Sequence, residues 1–304
     1  LLAVVLFVWL AHAVGCGGDD SELRHSTEAE QPAQAGEETM SQAELDRLRA
    51  LGYVSEAEAH DETQALGLVL NIPGEVADGL LYYTNAFNCS SMLMRWDATV
   101  VHRWSHEPCY RWGNTVLLPD GDVLAVHRYP TDVKTPELEF KARRLLRVGW
   151  DGELIWEREL PLHHDLDVLE DGRIAALTYR HEMIKDIDPN VSVRNHYISM
   201  LDPEGRLVEE ASLADLLRSN PSVFSLQRIK PSMRDGFEEL DLFHSNAIEW
   251  MHSAELARRD PIYATTNVLI TVRHQDAVAI IDWSTKKLVW AWGQGVLSGP
   301  HDAT

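Results

Sequence analysis

The sequence predicts an all-β protein, a β-propeller, on three observations. A hairpin ending in tryptophan recurs, Asp-Gly turns alternate with it, and both return at a common spacing. The hairpin appears as LMRWDATVVHRW (Leu93 to Trp104), LLRVGWDGELIW (Leu145 to Trp156) and AIIDWSTKKLVWAW (Ala279 to Trp292). ISMLDPEGRLVEE (Ile198 to Glu210) has the same shape without the tryptophan. The turn appears in VLLPDGDVLAV (Val116 to Val126) and VLEDGRIAAL (Val168 to Leu177). Asp-Gly supplies the positive φ that a tight turn between two strands requires. Trp104 and Trp156 stand 52 residues apart, and Asp120 and Asp171 stand 51 apart. A four-stranded unit repeating at about 50 residues is a propeller blade.

The elements follow in order. Residues 1–16, LLAVVLFVWLAHAVGC, read as the apolar region of an export signal, and Ala-Val-Gly-Cys ending at Cys16 has the form of a bacterial lipobox. The run is shorter than the ~20 apolar residues of a membrane span. Cys16 is therefore the expected lipidation site, which places the chain in the periplasm or cell envelope with a lipid as its membrane contact. The chain starts without Met or a basic leader, so a missing beginning is expected. Residues 17–40 are polar and acidic with few large apolar side chains, the composition of a solvated tether. Residues 41–65 open on a Ser-x-x-Glu capping box and carry a short leucine stripe that Gly52 ends, a helix and linker. The blades are expected over 66–304. Val208 lies 52 residues beyond Trp156, but Trp290 lies 82 beyond Val208. An insertion therefore falls between them, and SLADLLRSN (Ser212 to Asn220) reads there as a short helix capped by serine.

Composition narrows the function. The net charge is -21 over 304 residues, which repels nucleic acid. Once Cys16 is set aside, Cys89 and Cys109 remain, an even pair in an exported chain and hence a candidate disulfide.

Histidines return in phase with the repeat. His164 lies four residues before Val168, His244 four before Ile248, and His301-Asp302 repeats the His164-Asp165 dipeptide at the start of the next expected strand. Strand alternation lets His244 and Asn246 share a face and prevents His163 and His164 from doing so. Phase selects His164. Alternation also turns Asp302 away from the imidazole of His301. Zinc and copper sites usually add a carboxylate or thiolate to such a cluster, and none is in phase, so no metal and no cofactor is expected. The alternative is an imidazole nucleophile with a second imidazole handling protons. Arg273, in VLITVRHQDAVAIID, offers a permanently charged fork for an oxyanion.

HHDLD, FHSNAIEW, VRHQDAVAIIDW and GPHDA, in this order, resemble the motifs of the bacterial arylsulfate sulfotransferases. The resemblance runs from about residue 66 to the end. It implies a periplasmic propeller, six-bladed when intact and represented here by about four blades. It also implies sulfuryl transfer from an aryl sulfate to a phenol without the nucleotide donor PAPS. His301 maps to the nucleophile, His164 and His244 to the other channel histidines, and Arg273 to the sulfuryl-binding arginine. The lipobox and the LRALGYV helix are similar to a lipid-anchored branch. The rival expectation is an exported propeller that binds or scaffolds without catalysis. In either case Trp104, Trp156 and Trp290 are expected to dock blades together.

Overall fold

The computed structural model describes residues 78–131, 140–234 and 237–304. The signal segment, Cys16, the tether and the 41–65 helix lie outside the described residues. The chain divides into two units. One comprises residues 1–80 with 95–99, and its described part includes a turn in which the Ala98 N–H donates to the Arg95 carbonyl at 2.9 Å. The other comprises residues 81–94 and 100–304 and carries the sheets.

Its sheets follow the sequence hairpins. Strands β1 (Leu81–Asn85), β2 (Ser90–Met94) and β3 (Val100–Ser105) form an antiparallel three-stranded sheet. A four-stranded sheet follows, with β4 (Arg111–Leu117), β5 (Val123–Arg128), β6 (Arg143–Val148) and β7 (Leu154–Glu159) paired in order. The next repeats it with β8 (Leu162–Val168), β9 (Ile174–Glu182), β10 (Ser192–Leu201) and β11 (Leu207–Ser212). The insertion then adds helix α1 (Leu213–Arg218), whose Ser212 hydroxyl accepts from the Asp215 N–H, and the strands β12 (Ser232–Arg234) and β13 (Phe237–Leu240). β13 runs parallel to the start of β10 and widens that sheet. The last sheet contains β14 (Ser245–Trp250), β15 (Asn267–Val272), β16 (Ala277–Asp282) and β17 (Lys287–Trp292).

Burial shows how the sheets stack. Along β5, Val123 and Ala125 face a core shared with Tyr82 and Trp104 of the first sheet. The intervening Leu124 and Val126 face a second core with Leu162, Leu166 and Ile174 of the third. β9 divides likewise: Ile174 and Ala176 join that second core, while Ala175 and Leu177 meet Ile248, Val268 and Ile270 of the last sheet. A middle strand apolar on both faces is thus sandwiched between two neighbouring sheets. This is the face-to-face stacking of propeller blades.

The first strands of successive blades stand side by side, joined by side chains rather than a backbone ladder. Asp165 on β8 accepts from the Asn114 amide of β4 and from the Ile248 N–H of β14, the latter at 2.8 Å. Asp167 accepts from the Trp250 N–H at 2.7 Å. Cys89 and Cys109 form a disulfide, with Cα atoms 6.3 Å apart. The tryptophans differ. Trp104 is fully buried and Trp156 half-buried against Gly205, but Trp290 is 36% exposed, so the docking role fits the first two alone.

Candidate functional site

Each first strand of the three four-stranded blades carries an irregularity at its start. The pairing register shifts between Trp112 and Thr115, between Leu162 and Leu166, and between Ser245 and Ala247. Bulges of this kind re-aim side chains. Two of these irregularities come with a histidine in the left-handed region, His164 inside its shift at φ 61° and His244 just before its own at φ 41°. Non-glycine residues hold that conformation at a cost, and it recurs at functional sites.

The strain corrects the alternation argument. A residue at positive φ does not continue the strand's up-down order, so His163 and His164 reach the same site. Their rings lie 4.2 Å apart, and those of His163 and His244 lie 5.0 Å apart. His164 and His244 meet with their Nε2 atoms 3.4 Å apart. His196, on β10, lies behind His163 with its ring tilted and 4.4 Å away, and the Ser245 N–H donates to its Nδ1 at 3.0 Å.

A carboxylate is present, contrary to the sequence reading. The His244 Nδ1–H donates to Asp241 Oδ2 at 2.5 Å from three residues upstream, in the turn before β14. That turn breaks the strand phase, so a search along one strand face passes over it. The i, i+3 spacing of DLFH was the available signal. Arg194 flanks the same carboxylate, its Nη1 3.7 Å from Asp241 and 3.9 Å from Glu239.

Arg273 follows the end of β15 in a short 3₁₀ turn. Its Nη1–H donates to His274 Nε2 at 2.9 Å, and the His274 Nδ1–H donates to the Asp241 carbonyl at 2.6 Å. The His274 and His244 rings lie 4.6 Å apart. The buried Nε of Arg273 has no hydrogen-bond partner among the described residues, a donor aimed without an acceptor. A cavity of about 420 Å³ opens here, lined by Arg273, His274, Asp241, Asp276 and Gly299 among others.

The segment 299–303 runs along the edge of the last blade. The Gly299 N–H donates to Asp276 at 2.7 Å, Asn246 Nδ2 to the Pro300 carbonyl at 3.2 Å, and the Ala303 N–H to Thr271 at 3.1 Å. A Cβ on Gly299 would come within 3.8 Å of Arg273 Nε. His301 itself is exposed, with its Nδ1–H donating to the Gly299 carbonyl at 2.9 Å. The structure therefore brings His164 and His244 together with Arg273 behind them. It sets His301 on the adjoining segment rather than in the ring cluster, and it uses Asn246 to hold that segment. His163, His196, Asp241 and His274 complete the site and were not selected from the sequence.

Environment differentiates these groups. Burial pushes His164 down to about 3, with the neighbouring His244 adding to the effect. Burial holds His163 and His196 well below the usual histidine range. His244 is lowered by burial, against the upward pull of Asp241. Burial works to raise Asp241, but the His244 hydrogen bond and the Arg194 charge outweigh it and hold the carboxyl well below its usual range. The imidazoles are thus neutral near pH 7 and Asp241 is anionic. Neutral imidazoles carry lone pairs for attack, proton transfer or ligation.

Solved structures that align with the chain include a protein of unknown function from Bacteroides caccae, at 9% identity and TM-score 0.39, over 73% of this chain and 60% of that one. A streptogramin B lyase aligns at 11% identity and TM-score 0.35, over 70% of this chain and 51% of the other. A catalytically inactive virginiamycin B lyase from Staphylococcus aureus, solved with quinupristin, aligns at 13% identity and TM-score 0.34, over 71% and 56%. The chain thus spans between 51% and 60% of the length of these structures. No curated protein matches it. The family model for Arylsulfotransferase (ASST) matches residues 69–296, a span that holds His164, His244, Asn246 and Arg273 and ends five residues before His301. The blades and the His-Arg site lie within that span, and the chain belongs to the arylsulfotransferase family.

Proposed function

We propose that the protein transfers a sulfuryl group from an aryl sulfate ester to a phenol without PAPS, through a covalent intermediate on His301. Family membership supports the reaction class. The observation that carries the reading is the Asp241–His244–His164 chain, which ends in two imidazole Nε2 atoms 3.4 Å apart beside Arg273.

The roles follow from environment. With the His301 Nδ1–H on the Gly299 carbonyl, its Nε2 keeps a lone pair. That lone pair attacks sulfur, the S–N bond forms and the S–O(aryl) bond breaks. Arg273 holds the sulfuryl oxygens, and its unpartnered Nε is a donor suited to them. His164, kept neutral, offers an N–H donor rather than a proton. His244 is the proton carrier, because Asp241 stabilises the imidazolium that forms when it accepts one. It takes the proton of the acceptor phenol as that oxygen attacks sulfohistidine and the S–N bond breaks. It then passes that proton to the released aryl oxide or to solvent and returns to its neutral resting state, so protons balance over the two half-reactions. The cavity beside Arg273 has a size suited to an aromatic ring. The same reading places the chain in the bacterial cell envelope, held by a lipid on Cys16.

Steady-state turnover of a nitrophenyl sulfate with a phenol acceptor tests the proposal. Parallel lines on varying both substrates and loss of turnover in His301→Ala are expected. Turnover at the normal rate in His301→Ala, or a requirement for added PAPS, would overturn it.

A further inference from the structure

We propose that His163, His164 and His244 form a three-imidazole site for a divalent transition metal ion of the zinc class, and that metal and sulfuryl transfer exclude each other there. The ligand nitrogens of these three side chains lie within 4.8 Å of one another. Zn–N bonds of about 2.0–2.1 Å at tetrahedral angles put two ligand nitrogens about 3.3–3.4 Å apart. The Nε2 atoms of His164 and His244 are already separated by 3.4 Å.

The outer contacts fit as well. Ligating histidines usually donate their second ring N–H to a carboxylate or a backbone carbonyl, which fixes the tautomer. His244 donates Nδ1–H to Asp241 at 2.5 Å, and His163 donates Nδ1–H to the Ser245 carbonyl at 2.9 Å. Both therefore present a bare Nε2. Three neutral ligands leave the fourth tetrahedral position for water or an anion, the arrangement of open zinc sites. The nearby Arg194 guanidinium lies within 4 Å of Asp241 and Glu239, so opposite charges stand against it.

A second group, Asp241, His244 and His274, is as compact but fits poorly. His274 has Nδ1 committed to the Asp241 carbonyl and Nε2 to Arg273. The 2.5 Å approach of Asp241 to His244 is a hydrogen bond, shorter than the edge between two ligands of one ion. The first triad is the one built for a cation. The exclusion half rests on the transfer reading above: a metal there takes the Nε2 lone pair with which His244 accepts its proton and displaces the N–H that His164 offers the sulfuryl group.

Chelator-treated full chain titrated with Zn²⁺ alone should take up one ion in calorimetry, and Co²⁺ in its place should give the visible absorption of a tetrahedral site. Zinc should inhibit sulfuryl transfer, and chelator should restore it. His163→Gln keeps a donor for the Ser245 carbonyl but lacks the ring lone pair. It should bind zinc about tenfold more weakly or worse. Should that variant not fold, Asp241→Asn, one step out from the ion, should also weaken zinc about tenfold. His106→Gln, a histidine elsewhere, should bind zinc like the wild type. No uptake by the wild type, or equal uptake in His163→Gln or its Asp241→Asn stand-in, would overturn the site. Stoichiometric uptake without inhibition would overturn the exclusion. A protein that binds zinc through these residues and never transfers sulfuryl groups would sink the transfer reading and leave the metal site standing.

Discussion

At the scale of single residues, two histidines in the left-handed region organise the site. His164 and His244 each sit where a first strand is irregular, and positive φ turns them toward one point. Phase in the repeat selected both, while Arg273 was selected as a charged fork at a strand end and by the family resemblance. Phase could not select His163, because alternation assumes an unbroken strand, nor Asp241, which lies in a turn. Asp241 is predicted to be a positioning residue: it fixes the His244 tautomer and stabilises the protonated ring. Asp241→Asn should reduce turnover by about 10²-fold or more. It should also change the pH profile, since the ring loses the anion that raises its proton affinity. Circular dichroism checks the fold and a pH-rate series checks the effect. An unchanged profile with lost turnover would mean a merely structural role.

At the scale of elements, hairpins and turns were legible because each rule is local. Asp-Gly marked the β4–β5 and β8–β9 turns, and the serine cap marked α1. The inter-blade contacts were not legible, since they depend on which faces meet. Trp156 illustrates this: its ring packs on the β10–β11 turn, where a Cβ on Gly205 would come within 2.8 Å. Gly205 also has φ 76°. Gly205→Ala should therefore destabilise by about 1 kcal/mol or more, read in urea melts. Leu145 and Leu146 are adjacent, both fully buried, and face different cores. Each change to Ala should cost about 2–5 kcal/mol. In the second blade, burial lowers His127 from 6.5 to about 4, with the charge of His106 adding, and the Trp112 indole N–H donates to its Nδ1. The unfolded chain binds that proton below pH 6.5 and the folded one only near 4. The contribution is therefore complete above pH 6.5 and is lost as pH falls through that window. His127→Gln should flatten stability against pH there. A variant with the wild-type slope would assign the pH dependence to other groups.

At the scale of the molecule, stacking blades builds one rim from distant sequence. His164, His244 and Arg273 span more than a hundred residues, yet the first strands that carry or adjoin them stand together because the blades pack face to face. Repeat spacing revealed this architecture, while the insertion between β11 and β14 displaced the third return of the phase. The tether reading belongs to this scale also: Cys16 should take up a fatty-acid label, and Cys16→Ser should abolish it. The proposed transfer turns on a covalent sulfuryl group on His301, the residue that stands on the segment beside the cluster. Incubating the full chain with an aryl sulfate alone, followed by proteolysis and mass spectrometry, tests it directly. One added SO₃ is expected on the peptide holding His301, removed when a phenol is supplied. Release of phenol with no modified peptide, or a modification that survives in His301→Ala, would contradict it.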